Sequence, residues 1–209
     1  MQRKRARIPD DTSLDQLLQA VVEKSRRPKV DLVAFLLSYY AGLRVQEIAG
    51  LRWKDNIFTP DGRFDVQVIR SGANTVKVAT LLVSSDIGKG GKARTLSMNP
   101  RLFDAMRDLW EDPDREDSPF VVPSGNNRAG QQLVNRAHAL TMRLNRMYKA
   151  LGMDGMSTHI GRRRFITRLA RNRDLSLRDV QHLAGHADIG TTERYIEITD
   201  QQMQAVAML

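Results

Sequence analysis

Apolar residues recur at helical spacing over most of the chain and give way to β-branched runs in one stretch near its middle. Leu14, Leu17, Leu18, Val21 and Val22 predict an amphipathic helix opened by a capping box of Ser13 and Gln16. Pro28 punctuates, and residues 30–40 predict a second, largely buried helix. Gly42 breaks it, and residues 44–50 predict a short helix with Arg44 and Glu47 on one face. The runs at 64–69, 76–83 and 95–98, separated by Gly72 and by a glycine-rich stretch at 88–91, predict a small antiparallel sheet. Pro100 opens another helix, and 112–119 is an acidic, proline-bearing loop. The clearest helix spans 131–151, where Leu133, Ala137, Leu140, Leu144, Met147 and Leu151 alternate steps of four and three. Arg136, Arg143, Arg146 and Lys149 fall off that stripe. A short helix follows His159, another starts at Ser176 capped with Asp179, and 200–209 carries an apolar face on Met203, Val206, Ala207 and Leu209. The fold class expected is therefore α+β, mainly α, with one small antiparallel sheet. No repeat, low-complexity tract or internal domain boundary is visible; residues 1–10 read as a basic N-terminal arm and 11–209 as one domain.

Composition adds a partner. The 209 residues carry 33 Lys and Arg against 24 acids, a net charge of +9 and a pI near 10.2, which favours a polyanion. A basic protein with no nucleic-acid role has the same arithmetic, so charge alone does not decide. The absence of cysteine excludes disulfides and thiolate metal sites and fits a reducing, cytoplasmic setting. The basic start, Met1 to Arg7, has no apolar core behind it and is no signal peptide. No run approaches the roughly 20 apolar residues that span a bilayer, so no membrane partner is expected.

Five short motifs carry the chemistry: Gly42-Leu43-Arg44 with Glu47 three residues on; Gly88-Lys89-Gly90-Gly91-Lys92-Ala93-Arg94; His159-Ile160-Gly161-Arg162; Leu183-Ala184-Gly185-His186; and Tyr195, nine residues after that histidine. Two arginines, two histidines and a tyrosine in this order suggest attack by a phenol on a phosphodiester. Such a reaction needs a nucleophile, cations for the charge gathering on the non-bridging oxygens, and a proton donor for the departing 5′-oxygen. A guanidinium stays charged and donates two parallel hydrogen bonds, so arginine suits the second task better than lysine. His159 and Arg162, three apart, share a helical face. Each motif alone is modest. A lone C-terminal tyrosine is usually a packing residue, and His-x-x-Arg is more often a solvated helix start. The glycines at 88–91 lack the Gly-Lys-Ser/Thr ending of a nucleotide-binding loop.

Jointly, over roughly residues 12–198, the set resembles the tyrosine recombinase (phage integrase) family. The resemblance implies a catalytic domain that exchanges DNA strands site-specifically through a 3′-phosphotyrosyl intermediate, leaving a free 5′-hydroxyl, with no metal and no ATP. It implies that Arg44 and Arg162 clamp the phosphate, that His159 and His186 assist them, and that Tyr195 is the nucleophile. A charged or donating His186 then helps the phenolate form. The family's hairpin lysine, its general acid, falls on Lys92; Lys89 more plausibly contacts a phosphate. Glu47 supports Arg44. Arg163 and Arg164, in an arginine-dense stretch, are expected to contact the DNA backbone, and Arg163 stands where the family often has histidine. His138 and His182 have no motif and no expected duty. Double-stranded DNA is the implied partner, bound by a homotetramer that is monomeric without it. Most members also carry a helical core-binding domain ahead of the catalytic one; none is expected within these residues, which read either as an excised catalytic domain or as a naturally short member. A type IB-like topoisomerase shares the chemistry, but the Leu-Ala-Gly-His turn and the apolar tail argue against it. A non-catalytic DNA-binding protein would have no reason to keep Tyr195, His186 and Lys92 together.

Overall fold

In a computed structural model, which describes residues 8–71, 74–88, 90–124, 132–153 and 155–193, the first helix, α1 (Asp11–Lys24), starts three residues earlier than expected. Asp10 rather than Ser13 caps it, the Asp10 carboxylate accepting the Ser13 backbone N–H at 2.8 Å. Leu14, Leu17, Leu18 and Val21 face the core, whereas Val22 is exposed. Helix α2 (Pro28–Tyr40) has proline in its first turn, where no hydrogen bond is lost. It is buried on nearly every side, packed against α1, α4 (Pro100–Trp110) and α6 (His159–Ala170), as its almost continuous apolar sequence requires. Its Tyr39 hydroxyl meets that of Tyr148 at 3.0 Å, tying it to α5 (Leu133–Ala150). The short helix α3 (Val45–Gly50) lies against α5.

The sheet is antiparallel in the order β1 (Val66–Ser71), β2 (Asn74–Val83), β3 (Arg94–Ser97). Its strands lie within two residues of the expected runs. A single π-helical turn, Trp53–Ile57, packs beneath β2. There Trp53, Phe58, Phe64, Phe103 and Trp110 form an aromatic cluster, mostly edge to face, with ring centroids 4.6 to 5.7 Å apart. The architecture is mainly α with one small antiparallel sheet, as the sequence predicts.

Arg136, off the apolar stripe of α5, is nevertheless only 3% exposed. Its Nε and Nη2 donate to the Ala49 carbonyl at 3.1 and 3.0 Å, and its guanidinium lies 3.3 Å from the centroid of the Phe120 ring. The last carbonyls of a helix have no partner within it, and this arginine supplies one for α3. The C-terminal helices α6, α7 (Leu177–Ala184) and α8 (Ile189–Glu193) follow in sequence. A small second cluster of Ile166, Val180 and Ala184 holds α6 to α7. The Ser176–Asp179 capping box forms as expected. Of the basic arm only Ile8, Pro9 and Asp10 are described; segment 200–209 lies outside the described residues.

Candidate active site

The site is built on the turn after α2. Gly42 has φ of +63°, a left-handed conformation that side chains disfavour, and a Cβ there would lie 2.1 Å from Phe165 Cδ1. This turn delivers Arg44 to the start of α3. Glu47, fully buried, closes back on it, accepting the Arg44 backbone N–H at 2.8 Å and Nη1 at 3.0 Å. The expected pair of Arg44 and Glu47 is present, but its carboxylate is shared. Arg94, at the first position of β3, donates Nη1 and Nη2 to the two Glu47 oxygens at 3.0 and 2.9 Å. Burial alone would raise the Glu47 carboxyl; the hydrogen bonds and charge of Arg94, with those of Arg44, outweigh it and hold the pKa below its ordinary value. Arg94 was not among the residues singled out by sequence. The available signal was strand alternation, which puts Arg94 on the inward face with Leu96 and Met98.

Helix α7 ends at Gly185, whose φ of +60° makes the left-handed stop that the sequence predicts. The Gly185 N–H reaches the His182 carbonyl at 2.9 Å and the His186 N–H reaches that of Gln181 at 3.0 Å, a Schellman pair. The next three carbonyls go to three different arginines. Leu183 O accepts from Arg94 Nε at 3.1 Å, Ala184 O from Arg162 Nη2 at 2.5 Å, and Gly185 O from Arg44 Nη2 at 3.0 Å. Arg162 also donates Nη1 to the Gly42 carbonyl at 2.6 Å. The helix end is the negative pole of its dipole and attracts cations, so one backbone turn gathers three guanidiniums, two of which share the Glu47 carboxylate.

His186 sits among them, 8% exposed, with Nδ1 2.9 Å from the hydroxyl of the fully buried Thr192 on α8. Burial first, then the charges of Arg162, Arg44 and Arg94, push its pKa down to about 4. Of the two forms the sequence left open, charged or donating, a ring near pH 7 is therefore the neutral one. If Thr192 donates to Nδ1, the proton remains on Nε2 and the ring is still a donor.

Lys92 is exposed in the β2–β3 connection and lines a cavity of about 250 Å³ together with Arg94, Arg178, His182 and His186. His159, also exposed, opens α6 one turn before Arg162. Arg163 is half-buried. Arg164 corrects the sequence reading. It is 3% exposed, donates Nε to the Pro9 carbonyl at 3.1 Å and pairs with Asp11, so it anchors the start of α1 and has no face for DNA. Two residues turn a helix by about 200°, which carries Arg164 to the side opposite Arg162. Tyr195 and Lys89 lie outside the described residues. Among the described residues no three His, Cys, Asp or Glu cluster as metal ligands would, and no helix is long and apolar enough to cross a membrane.

The sequence matches the family model described as the phage integrase family over residues 10–202. It is 30% identical over 205 residues to the tyrosine recombinase XerC of Azotobacter vinelandii, covering 98% of this chain and 60% of that protein. It is also 30% identical over 183 residues to XerD of Lacticaseibacillus casei, covering 84% of this chain and 53% of that protein. The chain thus spans little more than half the length of these relatives. Among solved structures, the Tn1549 transposon integrase in complex with transposon right end DNA matches with a TM-score of 0.67 at 18% identity, over 99% of this chain and 66% of that one. XerA recombinase matches with a TM-score of 0.61 at 18% identity, over 99% and 65%.

Proposed function

The chain belongs to the phage integrase family, and from that premise we propose that residues 11–209 are a catalytic domain that breaks and rejoins double-stranded DNA at specific sites. The observation that carries the reading is the convergence of Arg44, Arg162 and His186 on the end of α7. A phosphate at this turn meets charge that is already in position before it arrives, and preorganised charge needs no rearrangement when the transition state forms.

In the proposed reaction the Tyr195 phenolate attacks phosphorus, favoured over its usual pKa of about 10 by the neighbouring guanidiniums. Arg44 and Arg162 donate to the non-bridging oxygens, and neutral His186 adds a further N–H. The bond from phosphorus to the 5′-oxygen breaks, and Lys92 gives that oxygen its proton. The products are a 3′-phosphotyrosyl linkage and a free 5′-hydroxyl. Attack by an incoming 5′-hydroxyl reverses the step and releases Tyr195. One phosphodiester is exchanged for another, so the sequence balances without ATP. His159, one turn before Arg162 on α6, assists the arginines at the same phosphate, and Lys89 and Arg163 contact the flanking backbone. Four copies assemble on the DNA, so that paired strands can be exchanged, and the substrate puts the enzyme in the cytoplasm.

The test is covalent capture on randomised nicked duplexes, where the short cleaved strand diffuses away and prevents religation. Wild-type protein should run as a DNA adduct on a denaturing gel. Tyr195→Phe should bind the same duplexes and form none, since the ring stays while the attacking oxygen is gone. An adduct that persists in Tyr195→Phe would remove Tyr195 from this role.

A further inference from the structure

We propose that Arg94, a residue that does not itself meet the phosphate, is the positioning residue that holds Arg44, His186 and Lys92 in one mutual geometry; this rests on the reading of the site given above. Its side chain is 4% exposed and bonds to the Glu47 carboxylate and the Leu183 carbonyl. Those contacts reach two elements besides its own, α3 and α7. The fork of Nη1 and Nη2 grips Glu47, and Glu47 in turn holds the backbone N–H and the guanidinium of Arg44. The Nε–H holds the Leu183 carbonyl, three residues before His186. The backbone of Arg94 begins β3, paired with Val83, two residues after Lys92. Arg94 thus joins the segments that carry Arg44, His186 and Lys92, the first two through its guanidinium and the third through its own backbone.

Charge gives Arg94 a second effect. With Arg94 in place, the Glu47 carboxylate is shared by two guanidiniums, so the trio of Arg44, Glu47 and Arg94 carries a net positive charge beside the phosphate. Without it, the buried carboxylate would have Arg44 as its nearest counterion, and that pair would be neutral. The geometry also explains the glycine at 185 beyond its left-handed φ, because a Cβ there would lie 2.7 Å from Arg94 Nη1. The guanidinium lies flat against the turn that presents His186, so displacement of one displaces the other.

A buried ion pair is often replaceable in stability terms, so a structural role and a positioning role differ in what is measured. Three full-length variants separate them: Arg94→Lys, Arg94→Met, and the double variant Glu47→Gln/Arg94→Met. Adduct formation is followed in a single turnover on saturating nicked duplex, DNA affinity separately by anisotropy, and folding by thermal melting. Lysine keeps the charge but cannot hold two carboxylate oxygens and a carbonyl at once. Arg94→Lys should therefore form adduct roughly 10²-fold more slowly, the order of loss that an ångström of misplacement produces, with affinity within about threefold of wild type. The double variant leaves no buried charge unpaired; it should melt near wild type and still be slow. Cleavage within threefold of wild type by Arg94→Lys or by the double variant overturns the proposal. So does slow cleavage that in every variant simply tracks a lost fold, since Arg94 is then a folding residue only. A wild-type protein that forms no adduct sinks the reading of Tyr195, and the proposal with it.

Discussion

His186 should remain neutral far below the pH at which an ordinary histidine charges, and the consequence is measurable as stability. The perturbation is acidification from pH 7 to pH 5. A histidine with the reference pKa of about 6.5 is almost fully protonated at pH 5; a ring whose pKa lies at about 4 is mostly neutral there. The causes are burial first and then Arg162, Arg44 and Arg94, all of which persist while the protein is folded. Because the folded-state pKa lies below the unfolded one, the unfolded chain takes up the proton first. The contribution of His186 is thus fully present above about pH 6.5 and is lost as pH falls toward about 4. Integrating proton uptake between pH 7 and pH 5 gives a loss of about 2 kcal/mol from this residue. Urea denaturation of wild type and His186→Asn at the two pH values isolates it, because every other ionisable group is common to both proteins. Wild type should lose about 2 kcal/mol more than the variant, and an NMR titration of the His186 ring should show a midpoint near 4. Equal losses in the two proteins, or a ring midpoint near 6.5, would refute the placement of this imidazole among three arginines.

Gly42→Ala should destabilise by about 2–4 kcal/mol, from the left-handed backbone and from crowding against Phe165, and slow adduct formation by shifting the carbonyl that Arg162 holds; a change under about 0.5 kcal/mol in urea denaturation would count against it. Arg136→Met should lower stability by about 1–3 kcal/mol by leaving the Ala49 carbonyl without its donor, whereas a solvent-facing arginine would lose almost nothing on the same melt. Lys92→Ala should cleave ordinary nicked DNA roughly 10²–10⁴-fold more slowly yet recover on a strand whose bridging 5′-oxygen is sulfur, a leaving group that needs no proton. Rescue of Lys89→Ala instead would move the general acid to the other lysine of the hairpin.

What could be read from the sequence is what local chemistry determines. The capping box at Ser176 and Asp179 and the glycine stop at Gly185 bound α7 through contacts a few residues long, and both are found as expected. Alternating β-branched residues gave the sheet for the same reason. The start of α1 was ambiguous at that level. Asp10 and Ser13 are both good caps three residues apart, and nothing local ranks them. The misplaced arginines are a different matter. Arg136 lies off the apolar stripe of α5 by periodicity, yet the carbonyl it satisfies is 87 residues earlier in the chain. Arg164 looked like one more member of a basic stretch, but its partners are Pro9 and Asp11, 155 and 153 residues away. Arg94 and Glu47 are separated by 47. Helical and strand periods sort residues into faces; they do not say which long polar side chain on a face has a distant buried acceptor.

The end of α7 is at first sight a poor place to receive an anion. A helix C-terminus carries about half a negative charge, and Glu47 adds a full one nearby. A phosphate brought to such a turn would be repelled. Arg94, Arg162 and Arg44 reverse the sign by bonding to Leu183, Ala184 and Gly185 in succession. Three positive charges against Glu47 and the helix end leave a surplus of about one and a half charges. The same surplus reinforces what burial begins at His186, because a charged ring there would add repulsion to three arginines. It also accounts for arginine at all three positions. Each side chain must bond to backbone or to Glu47 along one edge while keeping its charge in the site, and a guanidinium, with five donors spread around a plane, can do both. An ammonium concentrates its donors at one point and would have to choose between them.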